Sequence, residues 1–168
     1  MSDEFGRRLR DLVDGIRVEA DNAKAVRAGD EAAARARRRH LEKIAMAEAL
    51  RMLREAEPVF TGLGLRPRAT PEELRVEVIP GARLPEPHPP WLLARCRLPA
   101  YETAAVAVLE VTWRVDDPRT PLPETPSTLR FVVSDDSAAG VAEIRDFLSV
   151  ALEEFAAAVA KFDFAPRA

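Results

Sequence analysis

Four short runs after residue 73 alternate apolar with polar residues, and this alternation constrains the fold more than any other feature. The runs span residues 74–79, 91–98, 104–115 and 128–134. A period of two places alternate side chains on opposite faces of a β-strand. The loops at 80–90 and 118–126 are rich in proline, which cannot pair inside a sheet. Because successive strands with short connectors usually lie side by side, the pattern predicts a four-stranded antiparallel meander.

Residues 138–162 predict an amphipathic helix that covers this sheet. Large apolar residues recur there every three or four positions: Val141, Ile144, Leu148, Leu152, Phe155, Val159 and Phe162. Ser137 precedes the stretch and can cap it. A sheet with an apolar face must bury that face against another element. We therefore expect this C-terminal helix to pack on the sheet and to supply most of the core.

The first 57 residues also predict helix, with one interruption. One apolar stripe runs through residues 3–28, and a second occupies the later half of residues 31–57. Gly29 and Asp30 stand between them, and glycine often ends a helix whereas aspartate often starts one. We therefore predict a helical hairpin that folds back at Gly29. The alternative is one long helix, about 85 Å at a rise of 1.5 Å per residue, that pairs with another chain as a coiled coil.

These patterns divide an α+β chain into three parts. Residues 1–57 form a helical arm or hairpin, residues 58–73 form a connector, and residues 74–165 form a domain of sheet and helix. The second face of the sheet also carries some apolar residues. We expect the N-terminal helices or a second subunit to cover one end of it.

Composition limits the classes of function and the cellular location. The chain has 168 residues, a formal net charge of −3 and one cysteine, Cys96. A single thiol cannot form an internal disulfide, which fits a reducing compartment. The charged N-terminus does not have the pattern of a signal peptide, and no apolar run has the length that a bilayer requires. We expect a cytoplasmic protein without a membrane partner.

Residue types that carry chemistry are few and scattered. The cysteine and the two histidines make no zinc-binding pattern, and residues 61–64 are only a fragment of a glycine-rich phosphate loop. The sequence therefore predicts no catalytic residue, no cofactor and no metal. One alternative is a small enzyme with a site near Tyr101, Glu102 and Asp135, which the predicted meander brings to one end of the sheet.

A basic stretch and one tryptophan are the candidate partner-binding residues. Arg35, Arg38 and Arg39 fall on one side of a predicted helix, where their guanidinium groups can pair with carboxylates or phosphates. Trp91 opens a strand after two prolines, and large aromatic side chains often dominate protein interfaces.

These observations favour a non-enzymatic protein-interaction module, such as an adaptor, a chaperone-like protein or an assembly component. We expect it to bind a protein partner and to self-associate as a homo-oligomer, in the simplest case a homodimer. The net negative charge disfavours nucleic acid, because binding a polyanion usually recruits many basic contacts. A nucleic-acid-associated regulator that uses residues 35–40 is the alternative.

Overall fold

The computed structural model has two helices and five strands in the part of the chain that it describes. It describes residues 2–70, 72–80, 88–97, 105–117, 119–120 and 122–161, without the side chains of residues 2–9 and 11. The elements in chain order are α1 (Ser2–Gly62), β1 (Leu65–Ala69), β2 (Glu73–Val78), β3 (Trp91–Arg97), β4 (Ala107–Arg114), β5 (Ser127–Val133) and α2 (Ala138–Lys161). Neither helix holds a stretch, among the residues described, that is long and apolar enough to cross a membrane.

The strands form one antiparallel sheet in the order β1-β2-β3-β4-β5, which confirms the predicted meander. The sheet has one strand more than the four predicted. The additional strand, β1, lies within residues 58–73, which the sequence pattern assigned to a connector. Pro67 stands inside β1 and pairs with Val76 of β2. An edge strand accepts a proline because only one of its sides has to pair.

Both helices pack on the same face of the sheet. The sheet supplies the buried side chains Leu65, Leu74, Val76, Leu92, Ala94, Ala107, Leu109, Val111, Trp113 and Val133. The second half of α1 and the whole of α2 supply Leu41, Ala45, Ala49, Met52, Leu53, Phe60, Ile144, Leu148, Ala151, Leu152, Phe155 and Val159. The amphipathic C-terminal helix is confirmed, and it shares the core with α1.

The hairpin predicted at Gly29 is wrong, because α1 is a single helix of 61 residues. A glycine in a helix interior costs only about 1 kcal/mol relative to alanine, and alanines follow it here at residues 32–34. A hairpin would have buried the apolar side chains of residues 41–53 against the first stripe. The sheet and α2 bury them instead, so the chain has no packing reason to turn back.

The helix also continues through Pro58, where the sequence pattern places its end. Proline removes one hydrogen bond from the helical ladder. Phe60 in the next turn is buried, and its ring centre lies 5.9 Å from that of Phe155 in α2. This packing stabilises the last turn. The chain then leaves the helix at Gly64, whose φ of 78° is a left-handed conformation that glycine adopts without strain.

Two glycines provide a matched test of the packing around the helices. A Cβ on Gly140 would overlap the backbone carbonyl of Asp135, whereas a Cβ on Gly29 would meet nothing within 4 Å. We expect Gly140→Ala to lower the free energy of unfolding by about 1–3 kcal/mol, measured in denaturant melts. Gly29→Ala should leave that free energy unchanged or raise it by up to about 1 kcal/mol, and it should increase helicity by circular dichroism. A loss of stability in Gly29→Ala as large as that in Gly140→Ala would contradict a continuous α1.

Candidate protein-interaction surfaces

The first half of α1 forms an exposed arm, defined here as residues 10–33. Every side chain that the structure describes in this arm is exposed to solvent. At 1.5 Å per residue the arm is about 35 Å long. The first buried side chain of α1 beyond it is Arg38. The arm therefore leaves the folded body at its base and extends away from it.

The arm carries a stripe of apolar side chains. Its large apolar residues retain 40–62% of their accessible surface, and they are Leu12, Val13, Ile16, Val18 and Val26. Of these, Leu12, Val13 and Ile16 share one side of the helix with Ala20 and Ala23. Such a stripe normally faces a core, and soluble proteins rarely leave a contiguous apolar patch uncovered. The stripe makes the arm a candidate interaction surface.

An ionic cluster at Asp136 fixes residues 35–40, which we call the base of the arm, to the body. Arg37 donates two hydrogen bonds to the Asp136 carboxylate, at 2.7 Å and 3.1 Å. The His40 Nε2 atom lies 3.1 Å from the same carboxylate. Asp136 immediately precedes α2, which Ser137 caps through its contact with the Gly140 amide. The cluster therefore joins the place where α1 enters the core to the start of α2.

The electrostatics of this cluster favour the ionised carboxylates. The hydrogen bond from Arg37, with a smaller effect from His40, lowers the pKa of Asp136 to about 2. Hydrogen bonds from the hydroxyl and the backbone amide of Ser137 lower the pKa of the neighbouring Asp135. Both carboxylates are thus charged, and they hold the loop before α2 in place.

The three predicted arginines of the helix do not share one environment. Arg35 and Arg39 are exposed. Arg38 is only 8% exposed and lies 3.9 Å from Glu42. Two of the three are therefore available to a partner at the surface, and Arg38 belongs to the joint between the arm and the body.

Trp91 lies on a different surface, the face of the sheet on which neither helix packs. We call this the open face. In β3, Leu92 and Ala94 point into the core, whereas Trp91 and Leu93 alternate with them and point to the open face. The expectation that N-terminal helices cover part of this face is wrong, because α1 packs on the opposite face. The structure therefore separates Trp91 from Arg35 and Arg39.

Trp91 lines a shallow groove on the open face. The ring is half-buried, and the guanidinium carbon of Arg114 lies 5.9 Å from its centre, within the range of a cation–π contact. Arg75, Glu77 and Leu93 also line this groove, which has a volume of about 400 Å³. An aromatic ring beside arginines is a composition enriched at protein interfaces.

A buried carboxylate organises the rest of the open face. Glu110 is only 2% exposed, and the Nε atoms of Arg97 and Arg130 each donate a hydrogen bond to it at 2.8 Å. A third guanidinium, that of Arg95, lies 3.5 Å away. Burial alone raises the pKa of Glu110, but the two hydrogen bonds outweigh it and leave the pKa below its usual value. One anion thus faces three cations, which leaves this part of the face positively charged.

The sequence contains a signal for this cluster but does not define which of its residues meet. Alternation along β3, β4 and β5 places Arg95, Glu110 and Arg130 on one face. The missing information was the register, in which Glu110 pairs with Arg95 on one side and with Arg130 on the other. The proline-rich loops do not specify that register, because their lengths do not correspond to a tight hairpin turn.

The described residues give little support to a catalytic site. Burial, with a contribution from the charge of Glu42, raises the pKa of the Cys96 thiol to about 12, which keeps it protonated at neutral pH. Tyr101 and Glu102 lie outside the described residues, and Asp135 is occupied by Ser137. Within the described ranges, no three His, Cys, Asp or Glu residues come together in the way a metal site requires.

Comparison with known proteins adds no functional information: no family model, no curated protein and no solved structure matches this chain. The surfaces of the molecule itself are therefore the basis for a functional proposal.

The Asp136 cluster leads to a prediction about acid stability. We expect Asp136→Asn to lower the Tm at pH 7, because Arg37 and His40 lose their anionic partner. The pKa of Asp136 is about 2 when folded, against about 3.9 in an unfolded chain. Its contribution is therefore fully present above pH 4 and is lost as the pH falls from about 4 to 2. The difference in Tm between wild type and variant should shrink over that interval.

The control for this prediction is Asp146→Asn, a change of the same kind on the exposed side of α2. It should alter the Tm little at either pH. A Tm difference for Asp136→Asn that is as large at pH 2 as at pH 7 would show that the charge of Asp136 is not what stabilises the joint.

Proposed function

We propose that this protein is a non-enzymatic protein-interaction module of the cytoplasm, an adaptor or assembly component that self-associates and binds a protein partner through its helical arm. The observation that supports this most is the arm itself, which has five large apolar residues between 40% and 62% exposed. The single, half-buried cysteine supports a reducing location.

The composition of the arm also supports a binding role. Gly15, Gly29 and the β-branched residues Val13, Ile16 and Val18 all have lower helix propensity than alanine. Isolated helices of this size are marginal in water, and most helical stability in proteins comes from packing of the apolar stripe. A partner that covers the stripe supplies the stabilisation that local propensity does not.

The base of the arm indicates the chemistry of the partner. Arg35 and Arg39 are exposed, and a planar guanidinium forms paired hydrogen bonds with a carboxylate. Within residues 35–40, Arg37 and His40 are engaged with Asp136, and Arg38 is largely buried. Two exposed arginines are few for a nucleic acid, which usually recruits many cationic contacts. We therefore propose an acidic protein partner for this segment.

The arginines give the test of this proposal. We expect Arg35→Ser/Arg39→Ser to reduce recovery of the partner about tenfold or more in pull-downs with the tagged full chain, because each charged hydrogen bond contributes about 1.5–3 kcal/mol. Mass spectrometry identifies the recovered protein. The fold should survive, since exposed charges contribute at most about 1 kcal/mol each to stability.

The matched control is Arg54→Ser/Arg119→Ser, which removes the same charge from exposed positions on the body. Recovery should equal that of the wild type. Equal recovery with both double variants would show that the base of the arm does not bind the partner. Binding of the wild type to duplex DNA at physiological salt, lost in Arg35→Ser/Arg39→Ser, would replace the proposal with the nucleic-acid regulator.

A further inference from the structure

The strand β5 is one of the two edges of the sheet. Its backbone pairs with β4 along residues 127–133, and no described strand pairs with its outer side. An edge strand presents a row of unpaired N–H and C=O groups, which can receive a further strand. Seven residues at about 3.4 Å each give β5 a length of about 24 Å. This edge is therefore long enough for a second strand to pair along it.

The opposite edge, β1, is built differently. It is only five residues long, contains Pro67, and carries the charged residues Arg66 and Arg68. Short length, proline and charge are features by which natural sheets prevent pairing at an edge. In contrast, β5 contains no proline, and its one charged residue, Arg130, is held by Glu110 at 2.8 Å. Of the two edges, β5 is thus the one that can accept another strand.

The side chains beside the β5 edge are apolar and incompletely buried. Phe131 faces the helices, and its ring centre lies 5.4 Å from that of Phe147 in α2, yet both residues are only half-buried. Leu109, which pairs with Phe131 across β4, is fully buried. Val132 on the open face and Val150, three residues after Phe147, are 56% and 49% exposed. The apolar interior therefore reaches the surface at this edge.

We propose that β5 pairs antiparallel with β5 of a second copy around a twofold axis, so that two five-stranded sheets join into one sheet of ten strands. This inference rests on the self-association in the proposed function. A strand that meets its own copy across a twofold axis perpendicular to the sheet is antiparallel to it. The hydrogen-bonding groups of the two edges then match, as in any antiparallel pair.

A twofold axis at Phe131 gives the most favourable register. The two Phe131 side chains then lie opposite each other on the helix side, next to both Phe147 rings. On the same side, Leu129 of each copy lies opposite Val133 of the other. Aromatic and aliphatic pairs of this kind stabilise antiparallel strands.

The neighbouring registers are less favourable. An axis at Arg130 would place two like charges opposite each other, which destabilises a strand pair. An axis at Leu129 would place Phe131 opposite Ser127. An axis one residue beyond Phe131 would place Leu129 opposite Asp135.

The surface at this edge is large enough for a dimer. The side of the molecule along β5 is about 24 Å long and about 20 Å high, since a helix layer and a sheet layer each add about 10 Å. Each copy therefore covers about 500 Å², or about 1,000 Å² for the pair, which is the size at which specific interfaces begin. Phe147 and Val150 bring α2 into this interface beside the joined strands.

Two opposite charges at one position test the pairing in the full chain. In the proposed register, Val132 of one copy lies opposite Arg130 of the other. Val132→Lys places a cation there, whereas Val132→Glu places an anion. The control is Val59→Lys, which adds the same cation to α1 at a similarly exposed position, 58% against 56%. Circular dichroism establishes that each chain is folded, and sedimentation equilibrium measures the Kd of the dimer.

Edge pairing predicts that the wild type and Val59→Lys form dimers of equal Kd. Val132→Lys should raise this Kd at least about tenfold, because the repulsion from Arg130 occurs twice in a twofold dimer. Val132→Glu should leave the Kd unchanged or lower it. Equal Kd values for the two Val132 variants would refute the pairing. A dimer that is lost in Leu12→Ser/Ile16→Ser but unchanged in Val132→Lys would replace it by pairing of two arms.

A crosslink covers the case in which a charge variant does not fold. Val132→Cys and Val59→Cys are each made in a Cys96→Ser background and treated with a short bis-maleimide. The two copies of position 132 lie diagonally across the joined strands, about 7–8 Å apart. Edge pairing therefore predicts a covalent dimer with Val132→Cys and none with Val59→Cys.

The absence of a covalent dimer with Val132→Cys would refute edge pairing, as would a monomeric wild type. A wild-type dimer that Val132→Lys leaves intact would refute the edge pairing alone and leave self-association in place. The pull-down with Arg35→Ser/Arg39→Ser decides the partner-binding function independently of either result.

Discussion

The second half of α1 is buried in the core, and because α1 is one continuous helix, its first half cannot be buried with it. This constraint determines most of the surface that the molecule exposes. The buried apolar side chains of α1 lie between Leu41 and Phe60, and the Phe60–Phe155 contact holds the end of this stretch against α2. Ion pairs from Arg145 to Glu48 and Glu55 add further links between the two helices. With the second half held in this way, the direction of residues 10–33 follows from helical geometry alone.

The sheet has one covered face and one open face, because both helices lie on the same side of it. Its apolar face is fully used, and the open face is left with arginines arranged around Glu110. That carboxylate neutralises only part of the charge. The chain as a whole has a net charge of −3, yet three arginines surround this one carboxylate on the open face.

Much of the body could be predicted from the sequence, because period-two and period-3.6 patterns directly reflect burial. The four alternating runs correspond to β2–β5, and the stripe of residues 138–162 corresponds to α2. The sequence pattern does not indicate the strand β1, because Leu65–Ala69 contains Pro67 and two arginines and only Leu65 is fully buried. The predicted hairpin is wrong because Gly29 costs the helix only modestly, whereas residues 41–53 pack on the sheet and α2 and not on the first stripe.

The candidate surfaces depended on information that local patterns do not contain. Arg37 and Asp136 are 99 positions apart, and their pairing follows only from the packing of α1 beside α2. That packing also turns Arg38 inward, while Arg35 and Arg39 stay exposed. Likewise, Glu110 meets Arg97 and Arg130 only through the strand register.

The continuity of α1 is the central claim, and a distance between two spin labels tests it most directly. Asp14→Cys and Arg54→Cys place labels at exposed positions in the arm and in the packed half of the helix, in a Cys96→Ser background. Dilution with unlabelled chain removes distances between copies. One continuous helix predicts about 60 Å between these positions, from a rise of 1.5 Å per residue. A hairpin at Gly29 would place residue 14 opposite residue 44, ten residues from position 54. A distance near 20 Å, from axes about 10 Å apart and this offset along the helix, would therefore show that the chain folds back and would contradict the account.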